Sequence, residues 1–361
     1  HDFAPSDTKF SVSVTGTTTP LATAGYALFG DQPYTLVAYG LVSAPSLLMI
    51  PDDTVEPSPG NFSMRIVNTA AGAGFIDAYL TKADESIDNL TPNFAAVGYG
   101  TATIAYRFGT GQWRLRVTPY ASKTVIYDSG ARSYADQRMI DAVVYNRGSG
   151  TLVNVLTSDV NGAGAVATAD STLARVKAIH AAPQTGAVNV LVDATTLVSG
   201  EVYPSASAYV AVAAGARTIA FEDALAPGTA LASIAPTLGA ATDTTVVLTG
   251  FPASLQAIPL TDNNSPSSTG KPRVRFANMS PDAAPLDVVV GTTTQAHALA
   301  SGTTSGYVEI DAGTYTLTFK DAATGSPMLT VPNVLLTASQ TSTIYAIGPA
   351  AQLAPLLILD R

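Results

Sequence analysis

The sequence predicts an all-β protein made of tandem immunoglobulin-like or transthyretin-like antiparallel β-sandwiches. Three observations carry this. Short runs alternate apolar and polar residues, as in Phe10 to Val14, Trp113 to Val117 and Tyr315 to Phe319, the period-two pattern of half-buried strands. Gly, Pro, Asp, Asn and Ser punctuate these runs, and no helical pattern of ten residues or more interrupts them. Finally, the same motifs return along the chain in the same order.

Three segments open alike: Arg65 to Asn68, Lys177 to His180 and Arg275 to Asn278. Nine residues after Asn68, His180 and Asn278 stand Asp77, Asn189 and Asp287, each leading an apolar strand. A glycine then introduces an alternating strand, at Gly111, Gly215 and Gly313. His180 to Gly215 and Asn278 to Gly313 are both 35 residues, whereas Asn68 to Gly111 is 43. The first copy therefore carries about eight extra residues (43 against 35), expected within Lys82 to Pro92. From each glycine, 35 residues lead to the end of a last long strand, at Asn146, Gly250 and Gly348. Three full repeats follow, over residues 63–170, 171–264 and 271–361.

Residues 1–62 read as the second half of a fourth copy. Thr8 to Val14 matches Gly313 to Phe319, Tyr34 to Gly40 matches Thr341 to Gly348, and Ser46 to Asp52 matches Ala354 to Asp360. Half a sandwich exposes strand edges and an apolar face. The strands holding Phe10, Val12, Val14, Leu36, Val37, Leu47 and Leu48 are thus the candidates for self-association. A cleaved piece retained by the fold and an adjacent domain of the same chain are the other ways to cover them.

The segment from Arg273 to Val290, with its Asn278 to Pro285 turn and Leu286 to Val290 strand, then Gly306 to Phe319, resembles the DUF4397 repeat of bacterial exported proteins. The second copy carries the pattern as His180 to Gly186 and Ala214 to Ala220; the first, at Asn68 to Gly72, diverges and lacks the Pro-Asp pair. The resemblance spans about residues 63–361. It implies β-sandwich domains outside the cytoplasm, at a bacterial cell surface or secreted, and carries no catalytic residues to transfer.

Composition narrows the function. Apolar residues make up 47% and charged residues only 12% of the 361, ample for a core and sparse for a cytosolic surface. The net charge of −9 argues against nucleic acid and anionic membranes. The absence of cysteine removes disulfides, thiolate metal sites and cysteine nucleophiles. The longest apolar stretch, Val37 to Ile50, is broken by Gly40, Ser43, Pro45 and Ser46 and is too short to span a bilayer, so no membrane insertion is expected. The chain opens His1-Asp2-Phe3, with no signal peptide visible and no initiator Met, which suggests either processing or a start cut within a longer chain.

No catalytic, cofactor or metal site is predicted. His180 replaces an asparagine of the other copies, which suggests a hydrogen bond at a strand end. His1 could chelate copper with its amino group only if His180 or His297 lay beside it. The repeated Asp77, Asn189 and Asp287 suit side chains capping the turn before a strand. Asp159 to Gly162 and Asp262 to Asn264 are fragments of calcium loops without the further acidic ligands, and read as linkers. No G-x-S-x-G nucleophile elbow occurs. The expected function is therefore an extracellular structural or interaction protein, a homo-oligomer or polymer joined through residues 1–62, and not an enzyme. A polysaccharide-binding monomer is the alternative, since tyrosines such as Tyr99 and Tyr120 concentrate in the first 150 residues.

Overall fold

Alternation along each strand decides what is buried. In the computed structural model, which describes residues 7–146, 152–162, 165–265, 267–268 and 270–361, Leu317 and Phe319 of strand Gly313–Asp321 are wholly buried while Thr316 and Thr318, which alternate with them, are not. The described elements are strands and two short 3-10 turns. Among the described residues no helix is long and apolar enough to cross a membrane.

The chain forms two compact units, His1–Thr172 and Leu173–Arg361, where the sequence divides into four blocks. In the second unit the third repeat is a two-sheet sandwich. One sheet orders Thr293–Leu299, Leu286–Val290, Gly313–Asp321 and Pro327–Leu336, all antiparallel. In the other, Arg273–Asn278 pairs antiparallel with Thr303–Thr304 and Val308–Glu309 along one edge. Along its other edge it runs parallel to Thr341–Ile347, which pairs with Ala354–Leu359. Val274, Phe276, Val288, Leu317, Phe319 and Ile344 fill the space between the sheets.

The second repeat has the same order. Thr195–Glu201, Val188–Val192, Ile219–Asp223 and Ala230–Ile234 form one sheet. In the other, Leu173–His180 lies parallel to Asp243–Thr249, which pairs with Gln256–Asp262. These two repeats share a second apolar layer on the outer faces of their mixed sheets, built from Ile179, Val247, Leu260, Ala277, Met279, Tyr345 and Ile347. That shared layer makes them one unit.

The first unit repeats the arrangement with Asn61–Asn68 parallel to Met139–Asn146, Val153–Asp159 beyond it, and one further strand, Val166–Ala169. Its other sheet orders Phe94–Val97, Ile76–Thr81, Gly111–Pro119 and Tyr127–Tyr134. Between Ile76–Thr81 and Phe94–Val97 the chain takes residues 82–93, where the other repeats turn at Asp193-Ala194 and Gly291-Thr292. The insertion therefore sits in that connection, held by Lys123, whose Nζ donates to the carbonyls of Ile87 (2.7 Å) and Leu90.

Alternation along these strands puts Trp113 and Tyr315 on the core faces with Leu115, Val117, Leu317 and Phe319, yet both rings stay partly exposed. Leu115 and Val117 are buried, but Trp113 sits at the rim, touching Phe62 and Phe108. The indole needs a partner for its N–H, and at the rim Nε1 donates to Gly109 O at 2.8 Å while Lys82 Nζ lies 3.6 Å from the ring centroid.

Candidate association surface at residues 7–52

Residues 7–52 form two hairpins. Asp7–Ser13 pairs with Pro20–Ala27, and Tyr34–Leu41 pairs with Ala44–Pro51. Two shared features align the second hairpin with the last hairpins of the second and third repeats, and one more aligns it with the third. Thr35 Oγ1 donates to Asp52 Oδ2 (3.0 Å), as Thr245 does to Asp262 and Thr343 to Asp360 (both 2.6 Å). Gly40, Gly250 and Gly348 share a left-handed φ of 94°, 103° and 84°, a conformation that favours glycine. Thr35 and Thr343 both stand opposite an isoleucine, Ile50 and Ile358.

The alignment places Leu36 on Ile344, and the sequence match places Val12 and Val14 on Leu317 and Phe319. The environments differ. Leu317, Phe319 and Ile344 are 0% exposed, whereas Val14 is 43% and Leu36 37% exposed. In the full repeats the covering is supplied by the first strands, one of which runs parallel along Thr341–Ile347. Among the described residues, Tyr34–Leu41 pairs with Ala44–Pro51 alone. An apolar groove of about 870 Å³ opens beside it, lined in part by Phe10, Leu28, Tyr34, Leu36 and Met49.

The seven predicted association residues do not share one face. Leu36 and Leu47 lie on the open side with Met49; Phe10 and Val12 are half-buried, Phe10 with its ring 6.3 Å from Tyr26. Val37 and Leu48, a cross-strand pair, point the other way because side chains alternate. Theirs is the face of Tyr39, whose ring meets Tyr99 edge-on at 5.4 Å, and the face equivalent to that of Tyr345 and Leu356 in the shared layer of the second unit. Val37 and Leu48 are therefore removed from the association surface.

Buried ion pairs stitch these layers. Arg65 donates through Nη1 to Pro51 O (2.9 Å), through Nη2 to Asp52, and through Nε and Nη2 to Asp141 (2.6 and 2.8 Å). Arg275 repeats the first two contacts with Thr261 O (3.0 Å) and Asp262 (2.6 Å), and its Nε reaches Thr343 Oγ1 (3.2 Å). In the second unit the pairing is reciprocal, for Lys177 donates to Asp360, and Arg175 pairs with Asp243 nearby. Tyr209 OH also donates to Asp262, at 2.6 Å. Burial pushes the carboxyls of Asp141 and Asp262 above the usual aspartate range, and their arginine partners, Arg65 and Arg275, pull them back.

The profile of DUF4397, a domain of unknown function, matches residues 2–79, 174–289 and 273–361. The chain belongs to the DUF4397 family. No curated protein matches it. Among solved structures, the chain is similar to the family 26 carbohydrate-binding module CBMbc of Eubacterium rectale Amy13K, crystallised with maltoheptaose. The identity is 9%, over 57% of this chain and 99% of that one, and the TM-score of 0.19 is too low to carry an argument.

The marker residues of these DUF4397 repeats hold backbone. Asn68 and Asn278 each close a turn after the first strand: Oδ1 accepts from the N–H of Ala70 (3.0 Å) or Ser280 (3.3 Å), and Nδ2 donates to Val97 O (2.8 Å) or Leu299 O (3.0 Å). His180 copies this with its ring. Nδ1 accepts from Ala182 N–H (3.4 Å) and Nε2 donates to Gly186 O (3.0 Å), a pattern that requires the neutral imidazole. Burial lowers its pKa accordingly.

Asp77, Asn189 and Asp287 act differently from the expected turn caps. Each lies within or at the start of a strand, and its side-chain oxygen accepts a backbone N–H from the neighbouring strand at a bulge: Ala96 (2.8 Å), Gly200 (3.0 Å) and Ala298 (2.8 Å). The accepting side chain pins a residue of positive φ, at 52°, 67° and 47°. Gly111 and Gly215 also use positive φ (134° and 107°), while Gly313 does not.

Asp262 is corrected from linker to buried ion-pair partner. His297 is exposed, 3.7 Å from Asp287, and His1 lies outside the described residues. Among the described residues no group of three or more His, Asp or Glu side chains gathers to hold a metal.

Proposed function

We propose that this DUF4397 protein is an extracellular, non-enzymatic interaction protein, a subunit of a filament, surface layer or matrix, whose residues 7–52 are completed by β-strand addition from a neighbouring chain. One observation carries it: Val14 and Leu36 are exposed where Phe319 and Ile344, at the same places in a full repeat, are wholly buried. A strand laid along Tyr34–Leu41 gains main-chain hydrogen bonds and covers that face. Head-to-tail completion of this kind propagates into an open chain. Low charge and Thr- and Ala-rich strands suit an exported surface protein, and the charge of −9 disfavours nucleic acid.

The test is solution size by light scattering across concentration, with electron microscopy of the purified protein. Concentration-dependent polymers that Leu36→Asp disperses, without loss of the main thermal transition, support it. A monomer at every concentration, with or without periplasmic or culture extract, overturns it.

A second reading rests on Phe75 and Tyr120, two exposed rings whose centroids are 6.5 Å apart. Paired exposed aromatics stack on sugar rings. Retention on insoluble polysaccharide, lost in Tyr120→Ala, is the outcome that favours it.

A further inference from the structure

Resting on the polysaccharide reading above, we infer that Phe75 and Tyr120 form a cradle for a neutral polysaccharide whose successive sugar rings turn relative to one another, and that Gly98 makes room for it. The three repeats differ at these positions in a way the fold does not require.

One backbone hydrogen bond marks the equivalent places. Tyr120 N–H donates to Phe75 O, Ala224 N–H to Ala187 O and Ala322 N–H to Pro285 O, each at 2.9 Å. The first repeat thus carries two large rings where the others carry Ala187 with Ala224 and Pro285 with Ala322. The turn closes without aromatic side chains in two repeats out of three. Nor do the rings fill a core, for Phe75 is 60% and Tyr120 58% exposed. Adjacent rings left in water without a packing task mark a contact site.

The residue beneath the Phe75 ring differs too. Asn68 stands opposite Thr101, His180 opposite Ser205 and Asn278 opposite Thr303. Three residues before these partners stand Gly98, Val202 and Ala300. Gly98 has no left-handed φ to demand a glycine. A Cβ there would lie 3.2 Å from Phe75 Cε1, so the ring takes the space a side chain would fill. Neighbouring Tyr99 makes a contrast. Its hydroxyl lies 3.4 Å from where a Gly40 Cβ would stand, and Tyr203, at the same place in the second repeat, lies 3.2 Å from that of Gly348. That tyrosine packs a hairpin in both units; Phe75 and Tyr120 have no such counterpart.

Charge and tilt select the occupant. Residues 69–76, 97–103 and 119–122, which carry the rings and Gly98, include no Asp, Glu, Lys or Arg. Asp77 is buried, its two oxygens accepting from the N–H groups of Ala96 (2.8 Å) and Ala121 (2.9 Å). Lys123 Nζ is turned onto Ile87 O (2.7 Å) and Tyr79 OH (3.1 Å). These loops offer no cation to an anionic ligand, and the net charge of −9 repels one. The C–H face of a neutral pyranose packs on such rings. A protein partner would need about 1,000 Å² of matching surface, whereas the rings stand on loops of small residues. The ring centroids are 6.5 Å apart and their planes 58° apart. Rings so inclined cannot both lie flat on a ribbon-like chain, but they fit one that turns between sugars, as an α-linked glucan does.

The test is affinity electrophoresis of the full chain in native gels containing amylopectin, hydroxyethylcellulose or polygalacturonate. Amylopectin is expected to retard the chain and the other two to leave it unmoved. Phe75→Ala and Tyr120→Ala should each weaken the affinity about tenfold without moving the thermal midpoint, since both rings are exposed. Gly98→Val, the residue of the second repeat, should weaken it as well by displacing the Phe75 ring. Tyr120→Phe should stay within about threefold of the native chain. If amylopectin retards the two alanine variants as strongly as the native chain, sugar binds elsewhere: this inference fails while the polysaccharide reading stands. Retardation by none of the three polymers removes both. Retardation by hydroxyethylcellulose or polygalacturonate in place of amylopectin overturns the class of ligand. Self-association by light scattering that Tyr120→Ala abolishes would assign the rings to a protein contact and overturn the sugar site.

Discussion

Lys177 and Asp360, 183 residues apart in the chain, form an ion pair with side chains 3% and 0% exposed, one from each of two consecutive repeats. Its pseudo-symmetric mate is Arg275 with Asp262. Lys177 also lies 4.2 Å from the Tyr209 ring centroid, and Arg275 4.8 Å from that of Tyr307. A buried pair is weak in net stability but costly to break, since the surviving charge has no solvent. Lys177→Met is expected to cost about 3–5 kcal/mol. The double variant Lys177→Met, Asp360→Leu should recover most of it. Urea unfolding of the full chain checks this; a double variant no better than the single one would show that packing, not charge, is at stake.

Equivalent positions in half and full repeats should respond differently to truncation. Leu317→Ala removes a wholly buried side chain and is expected to cost about 2–5 kcal/mol. Val14→Ala, on the open face, should cost less than about 1 kcal/mol in the unassembled chain, because solvent already reaches it. Thermal midpoints of the two variants decide, and an equal drop would mean that residues 7–52 are covered after all.

His180 should make the second repeat sensitive to mild acid. Its folded pKa lies below the ordinary 6.5 because burial disfavours the charged ring. Between that depressed value and 6.5 the unfolded chain binds more protons than the folded one. The stability this group contributes is therefore full above 6.5 and is lost as pH falls through the folded value. His180→Asn, the residue of the other two repeats, keeps the acceptor and donor without the titration. Denaturant midpoints from pH 7.5 to 5 should fall less in the variant than in the native protein; parallel slopes would contradict the assignment.

The bulge locked by Asp287 offers a gain and a loss. Ala298 holds a φ of 47° where the second repeat has Gly200, and left-handed backbone costs a non-glycine residue roughly 1–2 kcal/mol. Ala298→Gly is expected to be neutral or stabilising by up to about 1 kcal/mol, offset by the entropy of the unfolded glycine. Asp287→Ala strands the Ala298 N–H and should destabilise by about 1–2 kcal/mol. Calorimetry of both variants tests the pair, and a stable Asp287→Ala protein would show that the bulge holds itself.

Much of the repeat is legible in the sequence. Alternation predicted the buried face of Leu317 and Phe319, and equal spacing brought Asn68, His180 and Asn278 to the same strand end. The sequence points Asp287 to a turn cap, but its partner, the Ala298 N–H, lies on the next strand at a bulge that composition does not reveal. Trp113 followed the alternation of its strand yet stayed at the rim, where its N–H and Lys82 are satisfied. The ion pairs had a visible trace, a basic residue three places before Asn or His and an aspartate closing the last strand at Asp52, Asp262 and Asp360.

What the sequence by itself determined is local and periodic: strand type, the order of motifs, the insertion after Lys82 and membership of one family. Each depends on residues a few positions apart, whose side chains alternate by covalent geometry alone. Only the tertiary structure decided that repeats associate in pairs, that Lys177 answers to Asp360 rather than to an acid of its own repeat, and that Val37 and Leu48 face away from the groove holding Leu36. The physical reason is that a burial penalty on a charge or an apolar face is set by what packs against it. At these interfaces that neighbour lies up to 183 residues away.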